Sequence, residues 1–298
     1  MKFAKMSRLV AALSVGAVAL TACGSSESAE ATDDAVHIVY TPFDEGVAAT
    51  YLWKHIFEEQ GYDVELTLAD VGPTYAAVSQ DDADFYFASN PESHSEYVDE
   101  YGDGFEFVGA WYEPLRHALV VPDYVHAAGI EEIEDLKGRA DEFGGQIVGV
   151  EAGAGITREA HEAVETYELD EYELVDSSTA AMLSEFGAAV ANEEWVVATA
   201  WNPHWAVAEY DMEFLDDPEG IFADGDTYEI VASESAQQRE DLMAMVSAFE
   251  MNDDQLFSLL AELRDAEEDN EEAAIEAWLA DDEHQELVDS WVAAADTK

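Results

Sequence analysis

The sequence predicts an α/β protein of two similar halves, each a mostly parallel sheet flanked by helices, followed by a helical tail. Two β-α-β-α-β patterns follow one another along the chain, which is typical of parallel sheets with helical crossovers. The 298 residues are 48% hydrophobic, which is enough to build two cores. Two such halves leave a cleft between them, where we expect a ligand to bind.

β-branched and aromatic runs predict the strands of the first half, and apolar residues at helical spacing predict its helices. A glycine after the first helical run supplies a stop signal. The resulting elements are a strand at 37–40, a helix at 48–60, a strand at 62–68, a helix at 74–79 and a strand at 84–87.

The second half repeats this pattern after a buried strand at 118–122. Continuous apolar runs predict its strands, and a Ser-Ser-Thr sequence supplies the N-cap of one of its helices. Helical periodicity then dominates the rest of the chain. The predicted elements are strands at 146–150, 172–175 and 195–199, helices at 156–167 and 178–190, and tail helices at 237–248, 253–265, 270–279 and 283–295.

The chain is strongly acidic, with 69 Asp and Glu against 11 Lys and Arg and a formal charge of −58. Such a charge repels phosphates, so it excludes nucleic acid as a partner and a basic patch for anionic lipid. The acidic residues are spread along the chain, and concentrated salt screens their mutual repulsion. We therefore expect a halophilic protein that is exposed to high external salt.

The first 22 residues have the pattern of a secretory signal peptide. Lys2, Lys5 and Arg8 precede an apolar stretch from Leu9 to Leu20. This stretch is too short to cross a bilayer comfortably and fits the apolar region of a signal peptide.

The sequence Leu-Thr-Ala-Cys that ends at Cys23 resembles the bacterial lipobox, and Cys23 is the only cysteine of the chain. The resemblance implies cleavage before Cys23 and attachment of lipid to its thiol. Gly, Ser, Ala and acidic residues follow, so we expect residues 23–35 to form a flexible tether. The predicted location is extracytoplasmic, with a lipid anchor in the cell membrane.

Three polar or aromatic segments follow predicted strands, at 41–46, 151–157 and 199–205. Ligands of α/β proteins bind at such strand ends. The glycine-rich turn at 151–157 opens a helix, whose free N–H groups suit a carboxylate. Trp201 and Trp205 offer ring faces that attract a cation. Together these segments indicate a zwitterionic ligand.

Two long segments, 147–183 and 196–220, resemble the glycine betaine/proline betaine substrate-binding proteins of ABC importers. Residues 118–125 and the C-terminal helices are also similar to this family. The resemblance implies the two-lobed type II periplasmic-binding-protein fold, which closes on a ligand in the inter-lobe cleft. It also implies a receptor for osmoprotective solutes that is not an enzyme, needs no cofactor and delivers its solute to a permease and ATPase complex.

The expected lobe boundaries follow from the same reasoning. Residues 36–118 and 206–298 form the first lobe, and residues 119–205 form the second.

The resemblance also assigns roles to individual residues. The backbone amides of Gly155 and Ile156 correspond to those that bind the ligand carboxylate, and His94 corresponds to a histidine that assists them. Trp201 corresponds to one tryptophan of a three-tryptophan cage around the cationic group.

The chain departs from the family at the other two cage positions, which hold Phe43 and Ser89. Either neighbouring aromatic residues replace the missing rings, or the site takes a different cation such as choline, carnitine, proline betaine or ectoine. The candidates for replacement are Tyr86, Phe87, Trp111, Tyr112 and Trp205.

A metal-binding receptor lipoprotein is a more remote alternative. The eight histidines are scattered and show no ligand spacing for zinc. The sequence therefore predicts no metal site.

Overall fold

A computed structural model describes residues 34–266 and 270–295. The predicted signal peptide, Cys23 and nearly all of the predicted tether lie outside the described residues. Within those ranges, no helix combines the length and the apolar character that crossing a membrane requires.

The described chain contains strands from both predicted patterns. They are β1 Ala35–Tyr40, β2 Asp63–Leu68, β3 Phe85–Ser89, β4 Phe105–Pro122, β5 Gln146–Val148, β6 Glu173–Val175, β7 Ala198–Asn202, β8 Met212–Phe214 and β9 Asp224–Ser233.

Helices connect and cover these strands, and short 3-10 turns occur at 102–104, 133–136, 140–143 and 236–238. The α-helices are α1 Asp44–Glu59, α2 Val71–Ser79, α3 Ser95–Tyr101, α4 Asp123–His126, α5 Gly155–Thr166, α6 Thr179–Asn192, α7 Trp205–Glu209, α8 Glu240–Val246, α9 Asp253–Asp265, α10 Glu271–Leu279 and α11 Asp282–Val292.

The strands join into one mixed sheet in the order β2-β1-β3-β9-β4-β7-β5-β6, with β8 pairing with β4. The pairs β1–β2, β1–β3, β5–β6 and β5–β7 are parallel, as the two β-α-β-α-β patterns predict. Both β4 and β9 run antiparallel to their neighbours. These antiparallel strands connect the two parallel units.

Two hydrophobic cores lie on the two sides of this connection. The first core draws on residues between Val36 and Leu115 and between Tyr228 and Trp291, and the second on residues between Leu119 and Phe222. We propose that these cores are the two lobes. On this proposal residues 206–222, which the sequence analysis assigned to the first lobe, belong to the second.

Two features of the sheet were not predicted from the sequence. Strand β4 begins at Phe105, well before the predicted run at 118–122, and strands β8 and β9 lie in a stretch for which no individual element was predicted. In β9 the residues Tyr228 and Ile230 are buried while Thr227 and Glu229 are partly exposed, which is the alternation of a half-buried strand.

Candidate functional site

A small cavity lies between the two cores. Residues from both cores and from β4 surround it, so a molecule bound there contacts both cores. Its walls are formed by Phe43, Asn90, His94, His117, Ala154, Gly155, Ile156, Trp201 and Tyr228.

One end of the cavity is the N-terminus of α5, which follows β5 as the sequence predicts. Ala154 is the N-cap and has no side chain that accepts a hydrogen bond from the helix, and Gly155 and Ile156 are the first two helical residues. The first N–H groups of a helix have no acceptor within it, and the helix dipole makes this end positive. This end of the cavity is therefore suited to a carboxylate.

His94 adds a hydrogen-bond donor at the same end. Its Nδ1 atom accepts the backbone N–H of Asn90 at 3.2 Å and lies 3.1 Å from the hydroxyl of Tyr75. Burial lowers the pKa of His94 to about 3, so the ring is neutral at neutral pH. With Nδ1 acting as an acceptor, the proton is on Nε2, which can donate to a ligand oxygen.

Ser89 does not form part of the cavity wall. It is the last residue of β3 and fully buried, and its Oγ lies 2.6 Å from the hydroxyl of Tyr75. Through Tyr75 it supports the ring of His94. The structure therefore places Ser89 behind the carboxylate end of the cavity and not beside the aromatic rings.

A buried polar network joins the loop that carries His94 to α5. The hydroxyl of Ser93 donates to Oε1 of Glu159 at 2.6 Å, and Nδ1 of His117 donates to Oε2 of Glu159 at 2.9 Å. Burial acts to raise the pKa of Glu159, but the bonds from His117 and Ser93 outweigh it and hold that pKa below its ordinary value. Nη2 of Arg158 donates to the carbonyl of Ser93 at 2.8 Å. These bonds join the loop after β3 and strand β4 to α5 beside the cavity.

The other end of the cavity is aromatic. The rings of Phe43 and Trp201 meet edge to face with their centroids 5.8 Å apart. Tyr228, on β9, supplies a third ring. Trp111 stacks on the far side of Tyr228 with centroids 5.4 Å apart, which fixes the plane of the tyrosine. Three aromatic faces around one space attract a quaternary ammonium group.

The carboxylate of Glu45 holds two of these rings. Its Oε1 accepts the indole N–H of Trp201 at 3.1 Å, and its Oε2 accepts the hydroxyl of Tyr228 at 3.3 Å. Burial raises the pKa of Glu45 to about 7, the charge of His204 opposes this shift, and that of Asp44 adds to it. Glu45 therefore changes its ionisation near neutral pH.

A second set of contacts links α1 to the segment after β7. The indole N–H of Trp205 donates to Oδ2 of Asp44 at 2.6 Å, and Nε2 of His204 lies 3.4 Å from the same oxygen. Burial acts to lower the pKa of His204, but its contacts with Asp44 and Glu45 raise it. Trp205 thus points to Asp44 and does not line the cavity.

The other aromatic residues suggested as replacements also lie away from the cavity wall. Tyr86 and Phe87 are on β3, whose five residues are all buried, and both belong to the first core. The indole N–H of Trp111 donates to the carbonyl of Phe87, and the hydroxyl of Tyr112 donates to Asp253. Their rings fill the core and support the site from behind.

Five of the predicted site residues line the cavity together, namely Phe43, His94, Gly155, Ile156 and Trp201. Four further residues line the cavity and were not predicted from the sequence, namely Asn90, His117, Ala154 and Tyr228. The alternation of Tyr228 with Ile230 was the signal that could have found the third ring. Among the residues that the structure describes, no group of three or more His, Cys, Asp or Glu side chains could hold a metal ion.

A comparison with known protein families gives a match that covers both the fold and the cavity. A family model described as the substrate binding domain of an ABC-type glycine betaine transport system matches residues 34–281. The match includes every residue that lines the cavity.

Individual relatives agree with this match. The chain is 32% identical over 131 residues to the glycine betaine/carnitine transport binding protein GbuC of Listeria monocytogenes, an alignment that spans 43% of each chain. It resembles the structure of the glycine/betaine/L-proline-binding protein ProX from Borrelia burgdorferi, with 30% identity, a TM-score of 0.81 and coverage of 87% of this chain and 96% of that one. It also resembles lactococcal OpuAC in its closed conformation complexed with glycine betaine, with 25% identity, a TM-score of 0.80 and coverage of 87% and 100%.

Proposed function

The chain belongs to the family of substrate-binding domains of ABC-type glycine betaine transport systems, and on that premise we propose that its cavity binds glycine betaine for delivery to an importer. The family is one of receptors, so the chain is a binding protein and not an enzyme. The similar structures also confirm the two-lobed type II periplasmic-binding-protein fold predicted from the sequence.

The observation that supports this proposal is the difference in chemistry between the two ends of the cavity. The amides of Gly155 and Ile156 and the ring of His94 lie at one end, and the rings of Phe43, Trp201 and Tyr228 line the rest. Glycine betaine has a carboxylate at one end and a trimethylammonium group at the other. We propose that the carboxylate binds at α5 and that the trimethylammonium group lies among the three rings.

The same contacts explain how the solute closes the protein. Ile156 and Trp201 belong to the second core and Tyr228 belongs to the first, whereas Phe43 packs against both. A ligand that contacts both lobes favours the conformation in which the lobes meet, because only that conformation offers it all of these contacts. Delivery to the permease and ATPase then depends on recognition of the closed form.

We expect the site to prefer glycine betaine to choline. Choline has the same ammonium group but no carboxylate, so it leaves the N–H groups at the start of α5 and the donor of His94 without an acceptor. An unsatisfied buried donor costs about 1–3 kcal/mol, and each ~1.4 kcal/mol is a factor of ten in affinity. We therefore expect choline to bind roughly tenfold to a hundredfold more weakly.

Calorimetric titration of the purified protein in molar potassium chloride tests this expectation. Glycine betaine, choline, proline betaine, carnitine and ectoine are titrated in turn. Tighter binding of glycine betaine than of choline supports the carboxylate site at α5. Equal or tighter binding of choline contradicts it, and no binding of any quaternary ammonium contradicts the proposed function.

The family works outside the cytoplasm, and we propose that this chain is tethered there through lipid on Cys23. The lipobox-like sequence before Cys23 supports this proposal. Replacement of Cys23 by serine should release the protein from the membrane fraction into the medium. Release is measured by quantifying the protein in both fractions, and a variant that stays with the membrane contradicts the anchor.

A further inference from the structure

We propose that Glu45 positions the aromatic rings for the cation, and that a quaternary ammonium bound between Trp201 and Tyr228 selects the ionised form of Glu45. This inference rests on the proposed function, because it concerns the same cavity. It assigns a role to a carboxyl group that does not line the cavity itself.

The geometry places Glu45 where it can act on both rings at once. It is the second residue of α1 and is fully buried. One oxygen holds Trp201, which belongs to the second core, and the other holds Tyr228, which belongs to the first. Glu45 therefore joins the two lobes through the side chains that we place around the cation.

Ionisation of Glu45 strengthens both bonds, because an N–H or O–H bond to a carboxylate is stronger than one to a neutral carboxyl group. A protonated Glu45 loses one acceptor oxygen and leaves one ring less firmly held. A cation that contacts the rings of Trp201 and Tyr228 also attracts the negative charge of Glu45, to which both rings are hydrogen-bonded. Both effects make the ligand favour the ionised form.

Other titratable groups face Glu45 from the elements around it. Asp44 precedes it on α1, His204 faces it from the turn before α7, Tyr112 from β4 and Tyr228 from β9. Burial keeps Tyr112 and Tyr228 protonated by raising their pKa values. His204 is the group besides Glu45 whose titration must be separated by experiment.

The sign of the pH dependence follows from the raised pKa of Glu45, which is about 7 in the free protein. Above that pH Glu45 is already ionised, and binding needs no change in protonation. Below that pH binding must first release a proton, and each pH unit costs up to about tenfold in affinity. We expect affinity for glycine betaine to fall roughly fivefold to tenfold from pH 8 to pH 6.

The test is calorimetric titration with glycine betaine between pH 6 and pH 8, in buffers of different ionisation enthalpy so that proton release is counted. The unmodified protein should release about one proton per ligand at pH 6 and almost none at pH 8. Glu45→Gln keeps the size of the side chain but cannot ionise. It should abolish both the proton release and the pH dependence.

Two further variants separate Glu45 from its neighbours. Tyr228→Phe keeps the ring but removes a donor that stabilises the ionised carboxylate, so it should move the midpoint of the pH dependence to a higher pH. His204→Gln should leave the pH dependence in place. Glu229→Gln is the matched control, because this carboxyl group is next to Tyr228 but contacts Thr227, and it should behave like the unmodified protein.

The outcomes distinguish this inference from the proposed function. If glycine betaine binds with no pH dependence, or if Glu45→Gln retains the proton release, the inference is wrong while the receptor function stands. Loss of the pH dependence in His204→Gln also contradicts it. If the unmodified protein binds no quaternary ammonium at any pH, the proposed function itself is wrong.

Discussion

Replacement of Trp201 by alanine should weaken glycine betaine binding by roughly tenfold to a hundredfold. A desolvated cation–π contact is worth about 2 kcal/mol or more, and each ~1.4 kcal/mol is tenfold in affinity. The substitution also removes the partner of Phe43 and the donor to Glu45. The effect is measured by calorimetric titration, and thermal unfolding of the free variant shows whether the fold is kept.

Trp205→Ala is the matched control for this experiment. Trp205 is four residues away, and its indole N–H also binds a carboxylate, that of Asp44. Because its ring does not line the cavity, we expect its loss to change the affinity by less than about threefold. Similar losses in the two variants would show that Trp201 acts through the packing of this segment and not through contact with the cation.

Replacement of Gly155 by alanine should abolish measurable binding, with a loss of at least about a hundredfold. A Cβ atom at residue 155 would lie 2.6 Å from both the Cβ and the carbonyl oxygen of Ser93. Such contacts are too short, so the loop that carries His94 must move away from α5. Misplacement of groups that bind one ligand by about 1 Å can cost a hundredfold.

Gly153→Ala controls for the loss of a glycine in the same turn. The atom nearest to a Cβ at residue 153 is the hydroxyl oxygen of Tyr97, at 3.8 Å, which is an ordinary contact. This variant should bind glycine betaine almost as well as the unmodified protein. If Gly155→Ala binds equally well, the close contact between α5 and Ser93 is not needed for the site.

The α5 end of the site could be predicted because its signal is local. A strand, a glycine-rich turn and a helix follow one another within residues 146–167, and such a sequence brings free amides to the end of a sheet. Trp201 was likewise identified from its place after a predicted strand. The parallel units of both lobes were predicted for the same reason, since periodicity within short segments is enough to identify them.

The third aromatic ring could not be assigned in the same way. Tyr228 reaches the cavity only because β9 pairs with both β3 and β4, and such pairing depends on residues more than a hundred positions apart. Acidic residues in and beside β9 also hide its alternation of buried and exposed positions in the sequence. The place of Ser89 behind the cavity was also not predictable from the sequence. Its bond to Tyr75 depends on the packing of α2 against β3.

The position of Tyr228 is relevant to Phe43 and Ser89, the two cage positions at which the chain differs from the family. The structure places no ring at Ser89 but brings a tyrosine from β9 to the same cavity. We therefore interpret Phe43, Trp201 and Tyr228 as a complete cage with a different composition. On this interpretation the smaller residue at position 89 does not require a larger ligand.

The most direct test is a crystal structure of the protein with glycine betaine. We expect the carboxylate of the ligand to lie within hydrogen-bond distance of the Gly155 and Ile156 amides and of Nε2 of His94. The trimethylammonium group should lie among the rings of Phe43, Trp201 and Tyr228. A ligand bound in the reverse orientation, or outside this cavity, would contradict the assignment of both ends of the site.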